Sequence, residues 1–328
     1  MPMTKRAGIT GIGFHVPEKV LTNHDLEKMI DTSDEWIRTR TGIAERHIAE
    51  KGTGTSDLSV KAAQAALQNA GIRPEAVDLL IMATTTPDML LPSTACFLQE
   101  KIGATNAVCF DLAAACAGFV YALVTAEQFV KNGTYKTVLV VGADLISSFI
   151  DWTDRATCVL FGDGAGAVVV QEVERGGILA SVLGSDGRYA ELLKICAGGS
   201  RFPASAETVK SKSHTLQMSG SEVFKLAVRG MSDAVTEALA KAGVGPEEVA
   251  CLIPHQANQR IIDAVAGRLK FPKEKVFVNL QKYGNTSAAS CVIALYEAVQ
   301  EGRIKKKDKV VMATFGSGLV WGAVVMEW

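Results

Sequence analysis

The chain has 328 residues, more than the roughly 250–300 that one tight core supports, so two fused units or one large layered domain is expected. Hydrophobic residues make up 48% and charged residues 21%, the balance of a packed globular protein, and thirty glycines against nine prolines point to tight turns rather than disorder. A formal net charge of −1 excludes an overall basic field for nucleic acid, leaving an acidic partner only a local basic patch.

At the start of the chain, Met1–Gly13 lacks the apolar stretch of a signal peptide. No apolar run approaches the ~18 residues needed to span a bilayer, so a soluble, cytoplasmic protein without membrane contact is expected. Gly71-Ile-Arg-Pro-Glu-Ala-Val77 precedes a strand-like run, Leu79–Ala83. Val108–Leu112 leads into a long apolar helix from Ala117 that ends near Asn132-Gly133. Strands are predicted over Lys136–Ala143 and Phe161–Val170. Gly162-Asp-Gly-Ala-Gly166 imitates a dinucleotide fingerprint, but strand-like runs lie on both sides and no helix opens there, so it reads as a tight β-turn. Gly11-Ile-Gly13 fails the same test, and there is no Walker loop.

The second half repeats this order. Gly243-Val-Gly-Pro-Glu-Glu-Val249 precedes strand-like Cys251–Pro254, and Val276–Leu280 leads into a helix ending near Glu301-Gly302. Strands Lys309–Thr314 and Gly318–Met326 close the chain, with Lys305-Lys-Lys307 a solvated turn before them. Matched order and spacing predict two duplicated α/β halves, residues 1–176 and 177–328, joined near Gly176-Gly177 and stacked as layers of strands and helices.

Seven cysteines at irregular spacing, with no CxxC, argue against a disulfide framework and against a structural zinc site. Cys116 differs from the rest because it opens the buried helix, flanked by small residues, where the helix dipole would lower its pKa. On that segment alone it reads more readily as a small core residue. His255 follows a strand end, where α/β folds gather ligands, although a lone histidine is more often structural. Asn285, in Lys282-Tyr-Gly-Asn-Thr-Ser287, looks locally like a helix cap. In the duplicated register it stands beside the counterpart of Cys116, so a pseudo-twofold axis would bring Cys116, Asn285 and His255 together.

These segments, taken with Asp34-Glu-Trp-Ile-Arg-Thr-Arg-Thr-Gly-Ile43, Asp154-Arg155, Gly162–Ala167, Pro254-His-Gln-Ala-Asn258, Lys282–Ser290 and Phe315-Gly-Ser-Gly-Leu319, resemble the β-ketoacyl-[acyl carrier protein] synthase III family over essentially the whole chain. The resemblance implies a thiolase-like, five-layered αβαβα sandwich. It implies that Cys116 is acylated by acetyl-CoA or another short acyl-CoA, and that His255 and Asn285 assist decarboxylative condensation with malonyl-acyl carrier protein. Coenzyme A then serves as a substrate carrier, with no permanently bound cofactor and no metal. By position, Trp36 and Arg155 match the pair that sandwiches adenine, with Thr32, Arg40 and Asn258 around the rest of coenzyme A. The amides of Cys116 and Ser317 match the oxyanion hole. Lys225 and Arg260 match carrier-protein docking positions. Gly267-Arg268 stands where some members carry a second basic pair, which points to a weaker or displaced patch. Leu91 stands where some acetyl-specific members carry phenylalanine, at a position that bounds the acyl pocket. A homodimer is implied as well. The alternatives are a condensing enzyme of specialised metabolism on the same fold, a cysteine thioesterase that would share Cys116 acylation, and an inactive partner subunit. An intact Cys116, His255 and Asn285 argue against the last.

Overall fold

The computed structural model describes residues 6–328. Its first half contains β1 (Arg6–His15), β2 (Val20–Thr22), α1 (Asn23–Glu27), α2 (Asp34–Thr41), β3 (Glu45–His47), α3 (Thr55–Ala70), β4 (Leu79–Ala83), α4 (Thr94–Ile102), β5 (Val108–Leu112), α5 (Gly118–Asn132), β6 (Thr137–Asp144) and β7 (Gly164–Val173). The second contains β8 (Gly177–Ser185), β9 (Leu193–Ile195), α6 (Ala206–Lys210), β10 (Leu216–Met218), α7 (Gly220–Ala242), β11 (Val249–Pro254), α8 (Gln259–Leu269), α9 (Leu280–Tyr283), α10 (Ser290–Gln300), β12 (Lys309–Gly316) and β13 (Val320–Glu327).

The continuous apolar runs are strands buried on both faces. In β4, β6 and β7, Leu79, Ile81, Val138, Val140, Val168 and Val170 pack toward the middle of the molecule with α5 and α10. Leu80, Met82, Leu139, Val141 and Val169 alternate with them and pack under α3 and α4. The second sheet does the same, turning Val310, Met312 and Val324 inward and Val311, Ala313, Ala323 and Val325 outward against α7 and α8. The result is five layers: α3/α4, the first sheet, α5/α10, the second sheet, α7/α8. This is the thiolase-like sandwich expected.

The two sheets run in the same order, β1-β7-β6-β4-β5 and β8-β13-β12-β11. One constant displacement along the chain carries Gly71 onto Gly243, Ala83 onto His255, Gly118 onto Ser290 and Asp144 onto Gly316. Both Gly71 and Gly243 end their helices in the left-handed region, with φ of 68° and 65°, which explains why the glycine recurs. By that displacement the counterpart of Asn285 is Ala113, three residues before Cys116 rather than beside it.

Two segments differ from what their composition suggests. Val276–Leu280 is not a strand: only Val276 bridges to Leu252. The Gln256 side chain takes the groups a ladder would use, accepting from Asn279 N–H at 2.9 Å and donating to Phe277 C=O at 3.2 Å. Gly164–Gly166 is not a turn but lies inside β7, paired with β6 on one side and β1 on the other. A Cβ on Gly166 would meet Val292 Cβ at 2.4 Å, so the glycines serve close approach of α10 to the sheet. Val159-Leu-Phe161 is a turn segment with one bridge, Phe161 to Asn285. Among the described residues no helix is long and apolar enough to cross a membrane.

Candidate active site

Cys116 sits in a single 3₁₀ turn, Ala115–Ala117, between β5 and α5. Its pseudo-equivalent turn, Ser287–Ala289, precedes α10. Each turn begins with a non-glycine residue in the left-handed region, Ala115 at φ 46° and Ser287 at φ 51°. Such conformations cost about 1–3 kcal/mol each and persist where surrounding contacts enforce them. Here those contacts are visible. Thr314 Oγ1 donates to the Cys116 carbonyl at 2.9 Å. Asp144, fully buried at the end of β6, accepts from Ala288 N–H at 3.2 Å through one oxygen. Its other oxygen accepts from the Thr84 and Thr86 hydroxyls and from Thr85 N–H. The missing Cβ of Gly316 would lie 2.8 Å from Cys116 N, so the Gly316–Gly318 turn runs directly against the amide of the cysteine.

Ser287 Oγ lies 3.4 Å from Cys116 Sγ. Burial pushes the Cys116 thiol up to about 12, opposed by the Ser287 hydroxyl and reinforced by the Asp144 carboxylate. Cys116 thus stands in a turn just before α5, where desolvation opposes the lowering by a helix dipole expected from sequence. Cys116 does touch the cavity, so solvent there moderates the rise.

His255 follows β11 with its N–H bonded to Ala313 C=O at 2.7 Å. The ring is buried, and burial lowers its pKa to about 4, so the imidazole is neutral at pH 7. Nδ1 lies 2.6 Å from Ser290 Oγ. Asn285 is clamped by its backbone, N–H to Leu160 C=O at 2.9 Å and C=O from Gly162 N–H at 3.1 Å. Its Oδ1 accepts from Ser287 N–H at 2.9 Å, a local turn contact rather than the helix cap its sequence suggested, since α10 is preceded by Ala289 and has no side-chain cap. The side-chain NH2 is left for a ligand.

Cys116, His255, Asn285 and Ser317 open on one cavity of about 890 Å³. Trp36, Arg40, Arg155, Asn258, Lys225 and Arg260 line the same cavity. The Arg155 guanidinium lies over the Trp36 ring at 4.7 Å and is held by a hydrogen bond to Asp31 C=O at 2.9 Å. Arg40 approaches the same ring at 5.6 Å. The Asn258 amide is already engaged, donating to Arg40 C=O and capping α8 through Arg260 N–H, so it shapes the mouth.

Three expected residues lie outside the cavity wall. Thr32 has a buried hydroxyl oxygen with no hydrogen-bond partner. Arg268 pairs with Asp233 at 2.8 Å on the facing helix. Leu91 is 84% exposed, because Asp88 binds Ser56 and Thr94 and turns the segment outward. In its place Thr85, Ile146, Phe161 and Leu193 line the cavity. Sequence reasoning gave no part to Ser287, Ser290 or Asp144. The first two stand in the quoted Asn285–Ser290 motif, whereas nothing marked Asp144 beyond its place at a strand end.

A family model described as 3-oxoacyl-[acyl-carrier-protein (ACP)] synthase III matches residues 110–187, and one for the C terminal of that enzyme matches residues 239–328. The chain is 56% identical to a β-ketoacyl-[acyl-carrier-protein] synthase III of Caldanaerobacter subterraneus subsp. tengcongensis, over 98% of each. Its fold matches the crystal structure of 3-oxoacyl-[acyl-carrier-protein] synthase III from Aquifex aeolicus VF5 with TM-score 0.91 and 51% identity, covering 98% of this chain and 100% of that one. The priming β-ketosynthase of a polyketide pathway matches with TM-score 0.92 at 35% identity, covering 100% of this chain and 98% of that one.

Proposed function

The chain belongs to the β-ketoacyl-[acyl-carrier-protein] synthase III family, condensing acyltransferases that initiate fatty acid synthesis, and from that premise we propose that Cys116 carries the primer while His255 and Asn285 drive condensation. The observation that carries this reading is the junction of the two halves. The thiol of the first half and the two candidate donors of the second face one cavity, whose mouth bears stacked Trp36 and Arg155.

Acetyl-CoA, or another short acyl-CoA, enters past Trp36, Arg40 and Arg155. Cys116 sulfur attacks the thioester carbonyl; the C–S bond to coenzyme A breaks, and the thiol proton leaves with the coenzyme A thiolate. Because burial disfavours a resting thiolate, deprotonation accompanies attack, helped by the Ser287 hydroxyl beside the sulfur. The amides of Cys116 and Ser317 receive the oxyanion, each such donor being worth ~3 kcal/mol of barrier.

Malonyl-acyl carrier protein then replaces coenzyme A. Its carboxylate leaves as carbon dioxide, and the electron pair becomes an enolate on the thioester. A neutral His255 donating through Nε2–H and the Asn285 NH2 hold that oxygen. The enolate carbon attacks acyl-Cys116 and expels the thiolate, which regains a proton from solvent. No step calls for a metal or a resident cofactor. Lys225 and Arg260 at the cavity rim suit an acidic carrier protein. We take residues 1–176 and 177–328 as the two halves and the cytoplasm as the site of action. Homodimer formation fits the exposed Leu90 and Leu91, both 84% exposed, and the edge strand β5.

The test is intact-mass spectrometry of the protein with acetyl-CoA beside Cys116→Ala, followed by malonyl-acyl carrier protein. One acyl adduct, absent from the variant and discharged into a 3-oxoacyl-carrier protein, is expected. An adduct lost to water instead would establish a thioesterase.

A further inference from the structure

Each half brings the C-terminal end of a parallel strand, β4 or β11, against the first residue of its central helix. In the first half that contact is Ala83 with Gly118: a Cβ on Gly118 would lie 3.2 Å from Ala83 Cβ. The displacement that superposes the halves turns Ala83 into His255 and Gly118 into Ser290. There the contact is Nδ1 to Oγ at 2.6 Å, with both residues buried. The fold closes this junction with glycine and alanine when nothing else is asked of it. A hydroxyl facing an imidazole at the same place is therefore not a packing requirement.

We propose that Ser290 is a positioning residue, whose hydroxyl donates to Nδ1 of His255 and holds the imidazole as its Nε2–H tautomer in the plane that serves the substrate thioester. This inference rests on the reading of His255 as a hydrogen-bond donor and adds the group that makes it one.

Hydrogen accounting decides the direction of the bond. A hydroxyl has one hydrogen, and a neutral imidazole has one donor and one acceptor nitrogen. If Nδ1–H donated to Ser290, the hydroxyl hydrogen would have to turn to the adjacent Cys291 sulfur, a weak acceptor. If Ser290 donates, its hydrogen meets a strong acceptor at 2.6 Å, and Nε2–H remains for the cavity. The His255 backbone is separately pinned to Ala313 C=O at 2.7 Å. Strand β12 therefore fixes where the ring starts, and α10 fixes how it is turned.

The experiment pairs spectroscopy with a split of the two half-reactions. ¹⁵N-imidazole NMR of the intact protein should show His255 with Nδ1 unprotonated and Nε2 protonated at neutral pH. A protonated Nδ1 would overturn the proposal even if no variant folded. In Ser290→Ala, decarboxylation of malonyl-acyl carrier protein should fall about tenfold, the upper end for loss of one hydrogen bond, while Cys116 acylation by acetyl-CoA stays within about twofold. Ser290→Thr, which keeps the hydroxyl, should restore most of the loss. Decarboxylation unchanged in Ser290→Ala, or both half-reactions falling together, would refute a positioning role. His255→Ala separates the two levels. If it decarboxylates normally, the reading of His255 fails and this one with it. If it is inactive while Ser290→Ala is not impaired, only the Ser290 proposal fails.

Discussion

Replacing Trp36 with alanine should weaken acyl-CoA binding more than replacing Arg155, although both are expected to stack on adenine. The reason is that their slot is closed in the free protein. A base held between two planes needs about 7–8 Å, twice the van der Waals separation of about 3.5–4 Å. The Arg155 guanidinium already lies 4.7 Å from the Trp36 ring, so it must withdraw by about 3 Å and give up that contact. Stacking a base on an aromatic residue is worth about 1–3 kcal/mol, and an exposed cation–π contact about 0.5–1 kcal/mol. Trp36→Ala loses the first and no longer gives up the second. The net loss is about 0.5–2 kcal/mol, or about 2–30-fold in affinity. Arg155→Ala loses one guanidinium contact with adenine and is spared the loss of a similar one with Trp36. It should stay within about threefold of the parent. The assay is Cys116 acylation against acetyl-CoA concentration, with acetyl-pantetheine as the substrate that lacks adenine. Arg155→Ala weakening acetyl-CoA as much as Trp36→Ala, or acetyl-pantetheine suffering equally, would refute the closed-slot reasoning.

Because burial holds the Cys116 thiol up to about 12, its alkylation by iodoacetamide should rise about tenfold per pH unit between about pH 6 and 9. A plateau inside that range would mean that the turn lowers the thiol after all. His255 links stability to pH: the unfolded ring titrates near 6.5 and the folded ring near 4. Below about 6.5 the unfolded chain therefore binds a proton the folded one refuses, and stability falls toward pH 4 by about 3 kcal/mol. His255→Gln should flatten that loss in urea unfolding at about pH 7 and 4.5; parallel losses in variant and parent would contradict it. Arg260→Glu should raise the KM for malonyl-acyl carrier protein and flatten its dependence on salt. Arg268→Glu should do less, because Arg268 already faces Asp233 at 2.8 Å; equal effects would show that the patch extends along α8.

The layered fold was legible because strands buried on both faces leave uninterrupted apolar runs, and because the Gly71 and Gly243 helix ends repeat with their Pro-Glu turns. What periodicity missed was set by long-range contacts. Val276–Leu280 has a strand's composition, yet the Gln256 side chain, some twenty residues away, occupies its backbone. Gly164 and Gly166 look like turn residues, and only the proximity of Thr286 and Val292 shows why a strand contains them. The grouping of Cys116, His255 and Asn285 on one cavity was legible, but not its electrostatics. The start of a helix suggested an acidic thiol at Cys116, whereas its desolvation and the buried Asp144 carboxylate act the other way. Leu91 illustrates the same limit: a residue that the resemblance placed at the acyl pocket is exposed on its own chain.

Duplication explains how one fold can hold a nucleophile and two donors without crowding them into a single loop. The strained turns Ala115–Ala117 and Ser287–Ala289 are equivalent, and each could in principle carry either function. In the proposed mechanism the first uses its second residue, Cys116, as the nucleophile. The second leaves Ala288 there and uses its first, Ser287, to touch the sulfur and to bind Asn285 Oδ1 through its amide. Asp144 ties the second turn to the first half, and Thr314 ties the first turn to the second. Each half therefore sets the position of the other's reactive group. A change in either sheet end should move the sulfur and the donors relative to one another, which is the distance that condensation, unlike acylation alone, depends on.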